Sequence, residues 1–140
     1  MKRIVLIFVL TLLISCSKNP EEFIKHVNGY WEIKQVIFPN GDKKDYKYNE
    51  NIDYISIDDS LKGFRKKLKP GFNSKYVTSK DAEGITVKIE NDSLNLYYKT
   101  PYTSWKETVL SASESTLKVV NGRETVYIYK RYKPMKIDLE

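Results

Sequence analysis

The chain is poor in the residues from which most catalytic and metal sites are assembled. Of its 140 residues one is Cys and one is His. A lone cysteine excludes an intramolecular disulfide framework, and one His with one Cys cannot supply the three or four ligands of a zinc site. His26 falls on a predicted opening helix rather than among the strands, so it has no pattern for Ser-His-Asp or Cys-His chemistry and is expected to face solvent. No Asp-rich loop has the Gly and terminal Glu of a calcium loop, and Asp58-Asp59 is expected to be a turn. Eighteen acidic residues would permit a glycosidase-like carboxylate pair, but no spacing selects one. The expectation is no catalytic residue, no metal, and no enzyme. Long apolar runs are equally scarce. The only one, Ile4 to Ile14, is about eleven residues, against the ~20 that a membrane-spanning helix needs.

That short run is nevertheless the most informative stretch. Met1 to Ser15 has a basic start at Lys2 and Arg3, an apolar centre, and a small residue before a cleavage point, the three parts of a secretory signal peptide. It closes on Leu13-Ile14-Ser15-Cys16, which resembles the lipobox of bacterial lipoproteins. The resemblance implies a diacylglyceryl group on the Cys16 sulfur, cleavage just before it, and an N-acyl chain, such as palmitate, on the new terminus. A thiolate is a good nucleophile for the thioether, and each buried CH₂ adds ~0.8 kcal/mol to membrane attachment, so two or three chains hold where one exchanges. No other cofactor is expected. Ser17 to Asn19 is then a spacer. The acidic pair Glu21-Glu22, close behind Cys16, resembles the export signal of surface lipoproteins in Bacteroidetes. The localisation implied is the cell envelope, lipid-anchored, in the outer membrane, with surface exposure consistent with that pair.

Cleavage before Cys16 leaves 125 of 140 residues, a single-domain size. Removing Lys2 and Arg3 from the 24 basic residues leaves 22 against 18 acidic, a mild excess that favours approach to anionic surfaces without naming one. The boundaries follow as 1–15 signal peptide, 16–19 lipidated Cys and spacer, 20–133 folded domain, and 134–140 C-terminal tail.

Pro20 suits the first turn of a helix and Glu21 and Glu22 its positive end; Phe23, Ile24 and Val27 share a side, and Asn28-Gly29 ends it. From Tyr30 the period becomes two. Trp31, Ile33 and Ile37 alternate with Glu32 and Lys34 before a turn at Pro39-Asn40-Gly41-Asp42. Further strands are predicted at 52–57, 64–68, 75–79, 85–89, 94–98, 104–110, 117–120 and 124–132. Breaks are predicted at Asp58-Asp59-Ser60, Pro70-Gly71, Asp81-Ala82-Glu83-Gly84, Asn91-Asp92, Ser113-Glu114-Ser115 and Asn121-Gly122. Asn121-Gly122 is the strongest hairpin signal, read as a type I′ turn. The fold class is all-β: an antiparallel up-and-down meander of about eight or nine strands, closed into a barrel or folded into a sandwich, with one short N-terminal helix.

Gly29-Tyr30-Trp31, after the helix and opening the first strand, resembles the Gly-x-Trp signature of the lipocalins. Arg131, at the end of the last strand, matches the Arg that the family packs over that Trp. Gly29, Trp31 and Arg131 are thus the structural signature implied, and 20–133 is similar to the small lipocalin-like lipoproteins of Bacteroidetes. The family's Thr-Asp-Tyr motif between late strands has no counterpart, since Asp45-Tyr46 and Asp53-Tyr54 come too early.

Lys62-Gly63-Phe64-Arg65-Lys66-Lys67-Leu68 fails the RNA-binding pattern it begins, and nucleic acid is not an expected partner. Phe64, Lys66 and Leu68 share one face and Arg65, Lys67 and Lys69 the other; Lys66 is placed at an edge or rim. Tyr97, Tyr98, Tyr102 and Trp105 surround Thr100-Pro101 and are the candidate ligand-binding residues, since such rings stack on sugars or line an apolar pocket. The expected function is a non-enzymatic, membrane-anchored monomer holding a small apolar ligand or a glycan at the open end of its barrel. The alternative is an accessory interaction module of an envelope protein complex with no ligand of its own.

Overall fold

Pro20 and the Asn19 side chain, whose Oδ1 accepts from the Glu21 N–H at 3.1 Å, start helix α1, Pro20–Val27. A computed structural model describes residues 19–71 and 76–133. The expected signal peptide at 1–15, the expected lipidation site Cys16 and the expected tail at 134–140 therefore lie outside the described residues. After α1 come nine strands: β1 Gly29–Ile37, β2 Lys43–Asp45, β3 Ile52–Ile57, β4 Lys62–Pro70, β5 Tyr76–Glu90, β6 Ser93–Lys99, β7 Ser104–Ala112, β8 Thr116–Asn121 and β9 Val126–Arg131. Each pairs antiparallel with its neighbour in the order β2-β1-β3-β4-β5-β6-β7-β8-β9, and β9 also pairs with β1. The molecule is an eight-strand closed barrel with β2 added outside the circuit.

A bulge at Lys34 separates the two jobs of β1. Trp31 to Ile33 face Arg131 to Tyr129, and the ladder resumes one residue out of step at Gln35 and Ile128. Past the bulge β1 also holds β2, with Gln35 Nε2 donating to Asp45 Oδ1 at 2.6 Å.

Three local expectations are corrected. The Asp81-Ala82-Glu83-Gly84 break lies inside β5, which runs unbroken because Arg65 pairs Glu83 and Phe64 pairs Gly84 across β4. The type I′ turn is at Asn91-Asp92, both at positive φ and flanked by the Glu90–Ser93 pair. Asn121-Gly122 instead opens a three-residue loop in which Glu124 takes the left-handed conformation and Asn121 Oδ1 accepts from Arg123 and Thr125 N–H groups. Finally, β4 is flanked on both sides by strands, and Lys66 points outward from its middle, over the Phe64 ring. The outer face of the wall here carries an aromatic row, Tyr30 stacked on Tyr54 and Tyr54 edge-on to Phe64, which seats Phe64 outside and leaves Arg65 inside.

The main core fills the lower part of the barrel: Trp31, Ile55, Val87, Leu94, Leu96, Val109, Leu117 and Val119, with Phe23, Ile24 and Val27 of α1 pressed against it. At ~25 cal/mol per Å² of apolar surface, burying α1's apolar face is what holds an eight-residue helix that would be marginal alone.

Candidate functional site

The two ends of the barrel differ in build. The α1 end is sealed. Trp31 is wholly buried and its Nε1 donates to the Val27 carbonyl at 2.8 Å. The Arg131 guanidinium lies 3.8 Å from the centre of the Trp31 ring. Its Nη1 donates to the Asn28 carbonyl at 2.6 Å, Nη2 to the His26 carbonyl at 2.9 Å, and Nε to the Glu114 carbonyl at 2.8 Å. It thus caps the last carbonyls of α1 and ties them to the β7–β8 turn. Burial holds the Arg131 pKa below its usual value. Gly29 is required twice: its φ is +130°, and a Cβ there would come within 2.4 Å of Arg131 Nη1. Cation–π contact contributes ~0.5–2 kcal/mol, and the carbonyl bonds make Arg131 a staple as well as a lid.

Above this plug lies a charged layer that sequence reading did not find. Arg65 stacks at 4.3 Å on the Tyr98 ring, pairs with Glu83 at 2.5 Å, and reaches Glu107 at 3.7 Å. Asp53, also buried, pairs with Lys67 at 3.2 Å. Burial works against the charge on Arg65, but Tyr98, Glu107 and Glu83 outweigh it and raise its pKa. Burial also raises the pKa of Glu107 against the opposing pull of Arg65 and the Tyr98 hydroxyl. The Tyr98 and Tyr129 hydroxyls are both driven up, mainly by burial. The signal for this layer was present in the sequence: Asp53, Glu83 and Glu107 interrupt inward, otherwise apolar positions of three strands, and such carboxylates need a buried cation.

Glu83 and Glu107 converge on Arg65. Arg65 spans them, and the space left between Trp31, Arg65, Tyr98, Glu107 and Tyr129 is about 10 Å³, room for about one water. Among the described residues no group of three His, Cys, Asp or Glu is placed to hold a metal ion.

Among the described residues two openings stand out. At the end opposite α1, a cup of about 190 Å³ is lined by Ile33, Val36, Tyr46, Asn51, Asp53, Lys67, Tyr127 and Tyr129, with Trp31 at its floor. Asn49 helps shape the cup, its Nδ2 donating to the Ile33 carbonyl at 2.9 Å. On the wall, a groove of about 460 Å³ crosses β5, β6 and β7. The four predicted aromatics separate accordingly. Tyr98 and Trp105 stack inside, 5.2 Å between centres and 10° apart in plane. Tyr97 faces outward, its hydroxyl donating to Glu90 Oε1 at 2.6 Å. Tyr102 is 95% exposed on the β6–β7 loop. Tyr97, Tyr98 and Trp105 border the wall groove, and none of the four borders the mouth cup.

An eight-strand antiparallel barrel plugged at one end by a helix, a Trp and an Arg defines the class to which the chain belongs. The family model described as "Lipocalin-like domain" matches residues 27–119, and the protein is a member of that family. Two solved structures are similar in outline. One is a lipocalin-like protein from Bacteroides uniformis, 9% identical, with a TM-score of 0.47 over 75% of this chain and 97% of that one. The other is an uncharacterized protein from Bacteroides eggerthii, also 9% identical with a TM-score of 0.47, covering 75% and 98%. No curated protein matches the chain.

Proposed function

We propose that the protein is a lipid-anchored, non-enzymatic binding protein of the cell envelope, attached to the outer membrane through Cys16, that takes a small ligand or the end of a glycan in the mouth of its barrel. The observation that carries this reading is the mouth cup. Tyr46 and Tyr127 supply ring faces, and Asn51, Asp53 and Lys67 supply hydrogen-bonding groups, in a pocket of about 190 Å³. That volume is below the ~300–1,000 Å³ usual for drug-sized ligands, so a single ring or chain end fits it. The deep calyx is filled, with about 10 Å³ left beside the charged layer. Of the two ligand classes expected from the sequence, the polar ring of a glycan therefore suits the cup better than a long apolar molecule.

The alternative, an accessory module without a ligand, draws on the filled interior. Its docking edge among the described strands would be β2, which is three residues long and reads Lys43-Lys44-Asp45, all exposed. Short, charged edges resist strand addition, so the cup is the better supported reading.

Native mass spectrometry of the protein extracted from its own membrane tests both halves. The expected result is a chain beginning at Cys16, heavier by a diacylglyceryl group and an N-acyl chain, with a noncovalent adduct that Tyr127→Ala loses. An unmodified Cys16 would overturn the anchor, and an adduct unaffected by the substitution would overturn the mouth.

A further inference from the structure

We propose that the wall groove across β5, β6 and β7 is a second binding site, for a segment of acidic polysaccharide, distinct from the mouth. Thr86, Lys88, Tyr97, Lys99, Ser104 and Lys106 line it, and its volume is about 460 Å³. Register places Thr86, Tyr97 and Lys106 side by side on three strands, and Gly84, Lys99 and Ser104 side by side one step nearer the open end. With strands ~4.8 Å apart and same-face residues ~6.8 Å apart along each, Lys88, Lys99 and Lys106 occupy same-face positions flanking Tyr97 and line one groove with it.

Charge decides the class of occupant. Lys88 lies 5.1 Å from the centre of the Tyr97 ring. Among the described residues none of Lys88, Lys99 and Lys106 has a carboxylate within ion-pair distance, although the chain pairs Lys25, Lys67, Lys69 and Lys130 elsewhere. Among the described residues the groove lining holds no acid; Glu90, next to it, accepts the Tyr97 hydroxyl and fixes the ring. Three uncompensated cations call for anions, the ring offers a stacking face, and Glu90 accepts hydroxyl protons. Carboxylates, ring faces and hydroxyls at repeating intervals are the chemistry of a uronate-containing glycan chain. A bilayer surface supplies phosphates in a plane, and it would not enter a groove or use the ring.

The test is binding of the full-length protein, in detergent, to polygalacturonate, to neutral dextran, and to oligothymidylate of matched charge. Polygalacturonate is expected to bind, and dextran not to. The triple variant Lys88→Gln, Lys99→Gln, Lys106→Gln should weaken polygalacturonate at least tenfold. Tyr97→Ala should weaken it at least threefold, whereas Tyr97→Phe, which keeps the ring and guards against misfolding, should retain it. The off-groove triple Lys43→Gln, Lys44→Gln, Lys47→Gln and the mouth variant Tyr127→Ala should both bind as the parent does, so this site and the mouth can fail separately. The inference is overturned if the groove triple or Tyr97→Ala binds like the parent. It is equally overturned if the off-groove triple loses as much, or if oligothymidylate binds more tightly than polygalacturonate.

Discussion

The two ends of the barrel solve opposite problems with the same chemical parts. At the α1 end one arginine, Arg131, lies over an aromatic ring, and its donors meet backbone carbonyls, so no carboxylate is needed. In the upper layer another arginine, Arg65, lies over an aromatic ring too, but its donors meet Glu83 and Glu107. A guanidinium satisfied by carbonyls closes a structure. One that shares its charge with acids makes a buried polar layer across the barrel instead. The difference teaches that the chain seals the end where its circuit begins and closes, and leaves the opposite end open.

Substitutions sharpen this contrast. Trp31→Ala should have the largest effect, a loss of about 3–5 kcal/mol in urea unfolding, because the ring touches both the helix and Arg131. Arg65→Met should lose about 3 kcal/mol by leaving Glu107 buried beside an apolar chain. Adding Glu107→Gln should recover part of that, and a simple sum of the two losses would break the idea of a coupled layer. Gly29→Ala should lose about 1–3 kcal/mol from the strained φ alone, with more from the collision with Arg131.

A pH series tests the upper layer without disturbing the lower. The Glu107 pKa is raised by burial above its ordinary 4.5. As pH rises through about 4.5 the unfolded chain releases this proton and the folded chain keeps it. Glu107 therefore makes stability fall from there up to its folded pKa. Urea unfolding at intervals from pH 4 to 7 should show a parent curve that loses ground to Glu107→Gln across that window; parallel curves would contradict the assignment. The smallest effect belongs to Tyr102→Ala, expected within about 0.5 kcal/mol of the parent because the side chain is exposed.

Much of the frame was legible before any coordinates. The helix was readable because Pro20, Glu21 and Glu22 mark its start and Val27 its apolar side, and Gly29, Trp31 and Arg131 come together just beyond its end. Alternation located most strands. It could not reveal β2, because Lys43-Lys44-Asp45 has no apolar face to alternate, nor the continuity of β5, because Asp81 to Gly84 reads as a turn until Arg65 and Phe64 are seen pairing with it. Lys66 was expected at an edge or rim because it shares a face with Phe64 and Leu68; β4 instead lies between two strands, where the buried acids of β3, β5 and β7 draw Arg65 in and Tyr54 gives Phe64 a partner outside. The charged layer was legible only in part: Asp53, Glu83 and Glu107 break inward apolar runs, but which cation answers each acid depends on a register that no single strand shows.

The contrast between a sealed and an open end is tested most directly by ¹⁹F NMR of the protein labelled with 5-fluorotryptophan, using Trp105→Phe to assign its two tryptophan signals. On adding a soluble gadolinium chelate, the Trp105 signal should broaden while Trp31, wholly buried under Arg131, stays sharp. Equal broadening of both would contradict the account, since the α1 end would then be as accessible as the wall groove that Trp105 borders.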